Sequence, residues 1–217
     1  MSHRAWVLLL LFLLYSVVTL NATSIFFSGN LRNDANVISC GSGCTLTSAD
    51  SDAAWAQFAA RVESFTVAST STMDAISFSF GGGTSGTGAV VSAGGFSPYL
   101  SLFDSSGNFL ASTYYGTYCP AGAQSFNGLC YDVKLDGGVL GPGTYSIAFS
   151  AYLNMSYAEN WGSGTLADGF TGLGNFDGVT LDYAFDVNLT PVAIPEPATL
   201  ALCAVGIAML WRRRKAW

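Results

Sequence analysis

Large apolar residues alternate with small or polar ones at every second position through the middle of the chain. The longest such run spans residues 181–189, and its apolar positions are Leu181, Tyr183, Phe185, Val187 and Leu189. Two shorter runs are Ile76-Ser-Phe78-Ser-Phe80 and Tyr145-Ser-Ile147-Ala-Phe149. A period of two is typical of strands that bury one face, so these segments predict an all-β domain whose strands each place their large apolar side chains on one face. The 181–189 run is expected to face them inward, with Asp182, Asp186 and Asn188 outward.

Turn residues separate the predicted strands at short intervals. The segment Asp104-Ser-Ser-Gly107-Asn108 lies between apolar stretches at residues 99–103 and 109–115 and predicts a hairpin. The glycine-rich segments at residues 136–138 and 141–143 bracket another turn before the Tyr145 strand. One-sided strands at this spacing favour an antiparallel β-sandwich or jelly roll.

Two segments fit this scheme less directly. Residues 51–62 suit either a short helix capped by Asp52, carrying Trp55 and Phe58, or a strand that continues into Phe65. Residues 81–88 contain five glycines but lack the Gly-Lys-Ser/Thr of a phosphate-binding loop. We interpret them as a plain linker between strands.

The N-terminal residues have the features of a secretory signal peptide. Arg4 precedes an uncharged apolar run at residues 5–20, and small residues follow. Cleavage after Ser24 fits a small-x-small site, and cleavage after Ala22 is an alternative, as is an uncleaved membrane anchor. The predicted division is therefore a signal peptide at residues 1–24 and an exported domain at residues 25–190.

Residues 191–217 contain three features in a fixed order. These are Pro195, Glu196 and Pro197, then fourteen uncharged residues at 198–211, then the basic cluster Arg212, Arg213, Arg214 and Lys215. A helix of that length spans about 21 Å, short of the roughly 30 Å hydrocarbon core, which snorkelling arginines or local thinning can accommodate. The basic cluster is expected to stay cytoplasmic and stop transfer. A plain C-terminal membrane tail is the alternative.

This order of features resembles the PEP-CTERM sorting signal of exported bacterial proteins. The resemblance implies that an exosortase-type membrane enzyme recognises the signal and cuts near Pro-Glu-Pro, so the chain would be a substrate. It also implies export by the general secretion machinery and transient anchoring in the inner membrane of a Gram-negative bacterium that makes exopolysaccharide. Delivery to the cell surface or the extracellular matrix would follow.

The middle region resembles small exported β-domains akin to the bacterial pre-peptidase C-terminal domain. The resemblance covers residues 25–190 and depends on the ordered Phe-Asp-Ser-Ser-Gly turn at 103–107 and the Gly-Thr-Tyr strand at 143–145. It implies a jelly-roll-like sandwich without an assured enzymatic activity. The stretch at residues 39–62 looks like an insertion relative to that family.

The charge and the histidine content of the predicted domain exclude several classes of function. Residues 25–190 contain three cations, Arg32, Arg61 and Lys134, and thirteen carboxylates, which gives a net charge of −10. Nucleic-acid binding needs clustered Lys and Arg, and this range lacks them. The single histidine, His3, lies in the predicted signal peptide, so the domain lacks the histidine of Ser-His-Asp, Cys-His and His-ligated zinc sites.

Four of the five cysteines lie in the predicted exported domain, where disulfides persist. We predict the pairs Cys40–Cys44 and Cys119–Cys130, one of three connectivities. A four-thiolate zinc site is the alternative, although the spacing lacks a Cys-x-x-Cys pair.

Three further groups are candidates for binding or chemistry. Asp168, Asn175 and Asp177 lie among glycines and offer oxygen ligands for calcium, with a solvated turn as the alternative. Glu63 and Glu159 are the domain's only glutamates, and no spacing marks them as a glycosidase pair. The last group offers an aromatic platform for sugar or ordinary core packing, and comprises Tyr114, Tyr115, Tyr118, Tyr152, Tyr157 and Trp161.

The sequence therefore predicts an exported, non-catalytic β-sandwich protein with no cofactor other than candidate calcium. Its expected partners are the secretion machinery and the processing enzyme. The alternative function is a carbohydrate-binding module that acts on exopolysaccharide. No catalytic residue emerges from the sequence.

Overall fold

The computed structural model describes residues 21–114, 118–160, 162–174 and 178–192. Their backbone is predominantly β. The described strands are β1 (Thr23–Asn30), β2 (Val37–Ile38), β3 (Ala59–Val67), β4 (Ser71–Phe78), β5 (Gly83–Thr84), β6 (Val90–Val91), β7 (Pro98–Phe103), β8 (Phe109–Tyr114), β9 (Lys134–Leu140), β10 (Gly143–Ala151) and β11 (Asp182–Pro191). Short helices are α1 (Leu31–Asp34), α2 (Asp52–Phe58) and α3 (Tyr157–Asn160), with a 3-10 turn at Leu166–Asp168.

The principal strands form two antiparallel sheets that share one core. One sheet has the order β1-β11-β4-β9, and the other has the order β2-β3-β10-β7-β8. The chain crosses repeatedly between them, and its first strand lies beside its last. Eight strands, β1, β3, β4 and β7 to β11, thus have the arrangement of a jelly roll, and this agrees with the predicted all-β class.

The core between the sheets is built from the alternating residues of the sequence pattern. Leu181 and the β11 residues Tyr183, Phe185, Val187 and Leu189 are all buried there, as predicted. Ile147 and Phe149 of β10 oppose them, and the Phe149 ring stacks on Phe185 with 5.2 Å between centroids. Burial of large side chains at about 1.5–3 kcal/mol each makes this cluster the main source of stability.

One alternating run faces away from the central core. Met73 and Ala75 of β4 face the central core, whereas Ile76 and Phe78 lie on the opposite face of the sheet. Phe78 packs there against Val91 and Ala184. The run does share one face, but a second layer covers it.

That layer is the glycine-rich segment interpreted as a plain linker. Residues 83–91 form the hairpin β5–β6 instead, and the Gly86 amide donates 2.8 Å to the Asp186 carboxylate of β11. A side chain at Gly86 would collide with the Phe26 ring, so glycine permits the close approach. The glycines therefore allow close packing as well as turning.

The ambiguous segment at residues 51–62 contains both predicted alternatives in succession. Helix α2 runs from Asp52 to Phe58, and β3 begins at Ala59. Ser51, not Asp52, is the N-cap, because its side chain accepts from the Ala54 amide at 3.3 Å. Asp52 pairs instead with Arg32, whose guanidinium lies over the Trp55 ring. Ala56, Ala59 and Ala60 are fully buried, so this stretch belongs to the core.

The segment Asp136-Gly-Gly138 does not turn the chain. It lies within β9, where the register with β4 shifts between Met73 and Asp74. Gly137 leaves the space that the Met73 side chain fills, and Gly138 has a φ of +68°. The glycines therefore form a bulge, and the turn comes later, at residues 141–142.

Candidate functional site

The predicted sorting residues begin four residues after the end of the last strand. The Val192 amide donates 2.9 Å to the Thr70 carbonyl, one residue beyond the end of β11. Pro195, Glu196 and Pro197 come three to five residues later, and they lie outside the described residues, as does the basic cluster from Arg212 to Lys215. The hydrogen-bonded sheet therefore fixes the chain three residues before the tripeptide.

The predicted membrane segments at residues 5–20 and 198–211 also lie outside the described part of the chain. Within that part, the helices are too short and too polar to cross a bilayer.

The cysteines of each predicted pair lie at disulfide distance. The Cα atoms of Cys40 and Cys44 are 5.4 Å apart, and those of Cys119 and Cys130 are 5.2 Å apart. Cys130 is buried beside Gly81, whereas the Cys40–Cys44 loop is exposed. The longer loop thus ties residues 118–132 to the edge of the sandwich.

Asp168, the described member of the candidate calcium set, holds its own turn. Its carboxylate accepts from the Ser163 hydroxyl at 2.8 Å and from the Thr165 amide at 3.0 Å. These hydrogen bonds lower its pKa. Asn175 and Asp177 lie outside the described residues. Across the described residues, no three His, Cys, Asp or Glu side chains converge as a metal site would require.

The two glutamates each engage a structural partner. Glu63 pairs with Arg61 at 2.6 Å on β3. Glu159 of α3 accepts a 2.9 Å hydrogen bond from the Tyr99 hydroxyl. Burial, followed by the Glu159 charge, raises the pKa of Tyr99, so its phenol stays protonated and donates. Both carboxylates therefore stabilise local structure.

Part of the predicted aromatic group does come together. The rings of Tyr114 and Tyr152 stack with centroids 5.8 Å apart and an angle of 17° between planes. Tyr114 is 42% exposed and leans toward the buried Tyr99. Tyr157 lies in a groove described below, and Tyr118 pairs with Asp132 in a β-bridge. Tyr115 and Trp161 lie outside the described residues.

Sequence reasoning missed a buried carboxylate at Asp132. Its two oxygens accept from the Ser77 hydroxyl at 3.0 Å, the Ser79 amide at 2.7 Å and the Gly81 amide at 2.8 Å. Burial outweighs these hydrogen bonds and raises the pKa of Asp132 to about 6. The hydrogen-bond partners of Asp132 are neutral donors, not cations. Because these donors lie at the end of β4 and just after it, the carboxylate holds this part of the chain in place.

Asp186 is a second buried carboxylate, with a different environment. One oxygen accepts from the Gly86 amide, and the other has no partner among the described residues. Burial raises its pKa. The alternating pattern predicted an outward Asp186, and the residue does face away from the core, but the β5–β6 hairpin covers it to 7% exposure.

Sequence reasoning also missed a shallow groove of about 470 Å3 on the outer side of the five-stranded sheet. Ser39, Cys40 and Gly41 form one wall, and Tyr157 and residues 168–171 form the other. Its walls come from segments more than 100 residues apart, so no local pattern could have revealed it. It contains one carboxylate, Asp168, which is already bound to its own turn.

Charge pairing accounts for every cation of the described residues. Arg32 pairs with Asp52, Arg61 with Glu63, and Lys134 with Asp74 at 3.6 Å. The described surface therefore offers no free basic cluster to an anion.

We expect the two buried carboxylates to respond oppositely to amide substitution. Asp132→Asn places an NH2 group against backbone donors and should lower the free energy of unfolding by about 1–3 kcal/mol at pH 7. Asp186→Asn keeps an acceptor for Gly86 and removes a buried charge, so its stability should equal or exceed that of the wild type. Chemical denaturation of the purified domain measures both. A loss for Asp186→Asn equal to that for Asp132→Asn would contradict this interpretation.

Asp132 makes a pH-dependent contribution to the free energy of unfolding. Because the folded pKa of Asp132 exceeds its unfolded value, the folded state binds more protons in the window between them. Its contribution to stability is therefore full below about pH 3.8 and falls as the pH rises through about 6.

Comparison with known proteins identifies the segment after β11. Residues 193–215 match the PEP-CTERM protein-sorting motif. The motif implies an exported protein that is transiently anchored in a membrane and processed by an exosortase-type membrane enzyme. No curated protein and no solved structure matches the chain. The resemblance of residues 25–190 to the pre-peptidase C-terminal domain stays a prediction, because the match lies outside that range. The chain thus carries a C-terminal sorting signal directly behind a β-sandwich.

Proposed function

We propose that this chain is a non-catalytic structural protein of the cell surface or extracellular matrix, delivered there through its sorting signal. The match at residues 193–215 is the observation that carries the proposal. The secretion machinery and the processing enzyme are its partners in delivery, and an N-terminal signal peptide ending near residue 22 or 24 starts the export.

The described residues support a structural role. The candidate chemical groups, Asp168, Glu63 and Glu159, are each held by local hydrogen bonds or an ion pair. The most perturbed carboxylate, Asp132, lies fully buried, where substrate does not reach it. Perturbed groups of this kind occur in structural networks as well as in active sites.

The acidic surface is compatible with a location outside the cell. The net charge of −10 over residues 25–190 keeps copies apart in solution and disfavours binding to polyanions. Disulfides at Cys40–Cys44 and Cys119–Cys130 persist in an oxidising compartment.

Glu196→Ala tests the sorting function. The two prolines fix the backbone on both sides of Glu196, so the segment loses little entropy on entering a binding cleft and its carboxylate supplies one directional charge. The variant keeps the prolines, the apolar run and the basic cluster, so export should proceed while processing stops. A slightly larger, membrane-retained form should accumulate in fractionation and immunoblots. Thr190→Ala, an exposed position on β11 outside the matched residues, is the control and should mature normally. Normal maturation of Glu196→Ala would reduce the tail to a simple anchor.

Neutralising the basic cluster should act at a different step. Changing Arg212, Arg213, Arg214 and Lys215 to Gln removes the stop at the cytoplasmic face. The chain should then pass through the membrane unprocessed and appear, uncut, in the soluble exported fraction. Retention of this variant in the membrane would show that the apolar run stops transfer by itself.

Carbohydrate binding is the second candidate function, and the stacked pair Tyr114–Tyr152 favours it. Aromatic surfaces of this kind hold sugar rings, and Tyr114 is accessible. Stacking leaves one ring face of Tyr114 occupied by Tyr152, so a glycan would contact the exposed remainder of the Tyr114 ring.

A pull-down with the exopolysaccharide of the native host separates the two functions. If Tyr114 binds sugar, Tyr114→Ala should lower retention of the purified domain at least tenfold, whereas Phe126→Ala, a similarly exposed aromatic residue elsewhere, should leave retention unchanged. Absence of retention by the wild type removes the second candidate.

A further inference from the structure

The two ends of the domain leave the sandwich side by side. Strand β1 begins at Thr23, which pairs with Leu189 near the end of β11. The strands are antiparallel neighbours, about 4.8 Å apart, so the chain enters and leaves at the same end of the same sheet. We name this end the terminal end; it comprises the start of β1, residues 68–70, the turn at 141–142 and Val192.

The connections from this end to the apolar segments are short. Leu20, the last residue of the N-terminal apolar run, lies three residues before Thr23, which allows at most about 11 Å of extended chain. Ala198 lies six residues after Val192, which allows at most about 22 Å, and Glu196 lies within about 14 Å. The enzyme that recognises Pro-Glu-Pro must therefore approach the terminal end closely.

The charges of the domain fit this orientation. Residues 68–70 and 141–142 contain no charged side chain, although residues 25–190 carry a net charge of −10. Asp34 and Asp182 lie at the opposite end, after β1 and at the start of β11. Asp104, in the β7–β8 turn, is a carboxylate on the terminal side, and its oxygens accept from Ser106 and Asn108. The Leu166 amide donates 2.8 Å to the Gly107 carbonyl, so the segment that carries Asp168 lies beside the same turn.

We propose that the terminal end is the surface that contacts the processing enzyme while the folded domain is still tethered. This inference rests on the proposed sorting function and adds the side of the sandwich that faces the enzyme. Since Thr23 and Leu189 are already paired, the domain can fold completely with both apolar segments still attached. The enzyme then acts on a folded substrate, with the uncharged loops against it.

Site-specific photo-crosslinking in the full chain tests the contact. A benzophenone amino acid replaces Ala68 or Pro142 at the terminal end, or Ser92 or Ser125 at the opposite end; all four residues are exposed. The host expresses a tagged, catalytically inactive exosortase-type enzyme so that the complex persists. Ala68 and Pro142 should yield a crosslink to the tagged enzyme at least fivefold stronger than Ser92 and Ser125 yield.

Equal or stronger crosslinking from Ser92 and Ser125 would overturn the inference, as would crosslinks from Ala68 and Pro142 to lipid alone or to nothing. Maturation of the same four variants by the active enzyme verifies that each is folded and exported. A Gly-Ser-Gly-Ser spacer between Val192 and Ala193 should keep cleavage while lowering the crosslink from Ala68 severalfold.

The result is separable from the sorting function itself. Normal maturation of Glu196→Ala defeats the proposed function whatever the crosslinks show. Blocked maturation of Glu196→Ala without crosslinks from the terminal end defeats only the inference about orientation.

Discussion

The pairing of β1 with β11 closes the fold, and the rest of the sandwich depends on it. Eight residue pairs join the first strand to the last, and β11 lies between β1 and β4 with four large side chains in the core. The four-stranded sheet is complete only when the C-terminal strand has inserted between β1 and β4. Contacts of such high sequence separation make folding slow and place its final step at the end of chain delivery.

The sequence predicted the elements best where one physical signal dominated. Strict alternation identified β10 and β11, and the Asp104 turn identified the β7–β8 hairpin, because burial of one face leaves a local record. Alternation could not say which face meets the core when both are covered, which is why Ile76 and Phe78 lie outside it. Glycines were ambiguous for a similar reason: turns, bulges and close packing all require them, and only tertiary contacts distinguish these uses.

The candidate functional residues also differ in whether local sequence or long-range contacts define them. The sorting signal is linear, so three adjacent features sufficed to predict it. The structural role of Asp132 depends on its hydrogen bonds with Ser77, Ser79 and Gly81, which are more than 50 residues away. The groove beside Tyr157 likewise forms from distant segments. Asp168 shows the opposite case, since a carboxylate among glycines looks like a ligand until its own turn is seen to occupy it.

The fold of the described domain and the predicted cleavage site lie in different parts of the chain. Val192 is the final described residue, its amide is bonded to Thr70, and a cut near Pro-Glu-Pro falls beyond it. Proteolysis there removes no strand, no buried side chain and no ladder hydrogen bond of the described domain. The described domain therefore keeps all of its own strands, buried side chains and ladder hydrogen bonds after the cut. Cleavage of the tail changes where the protein can diffuse. The contacts within the sandwich, which stabilise the described domain against heat, stay in place.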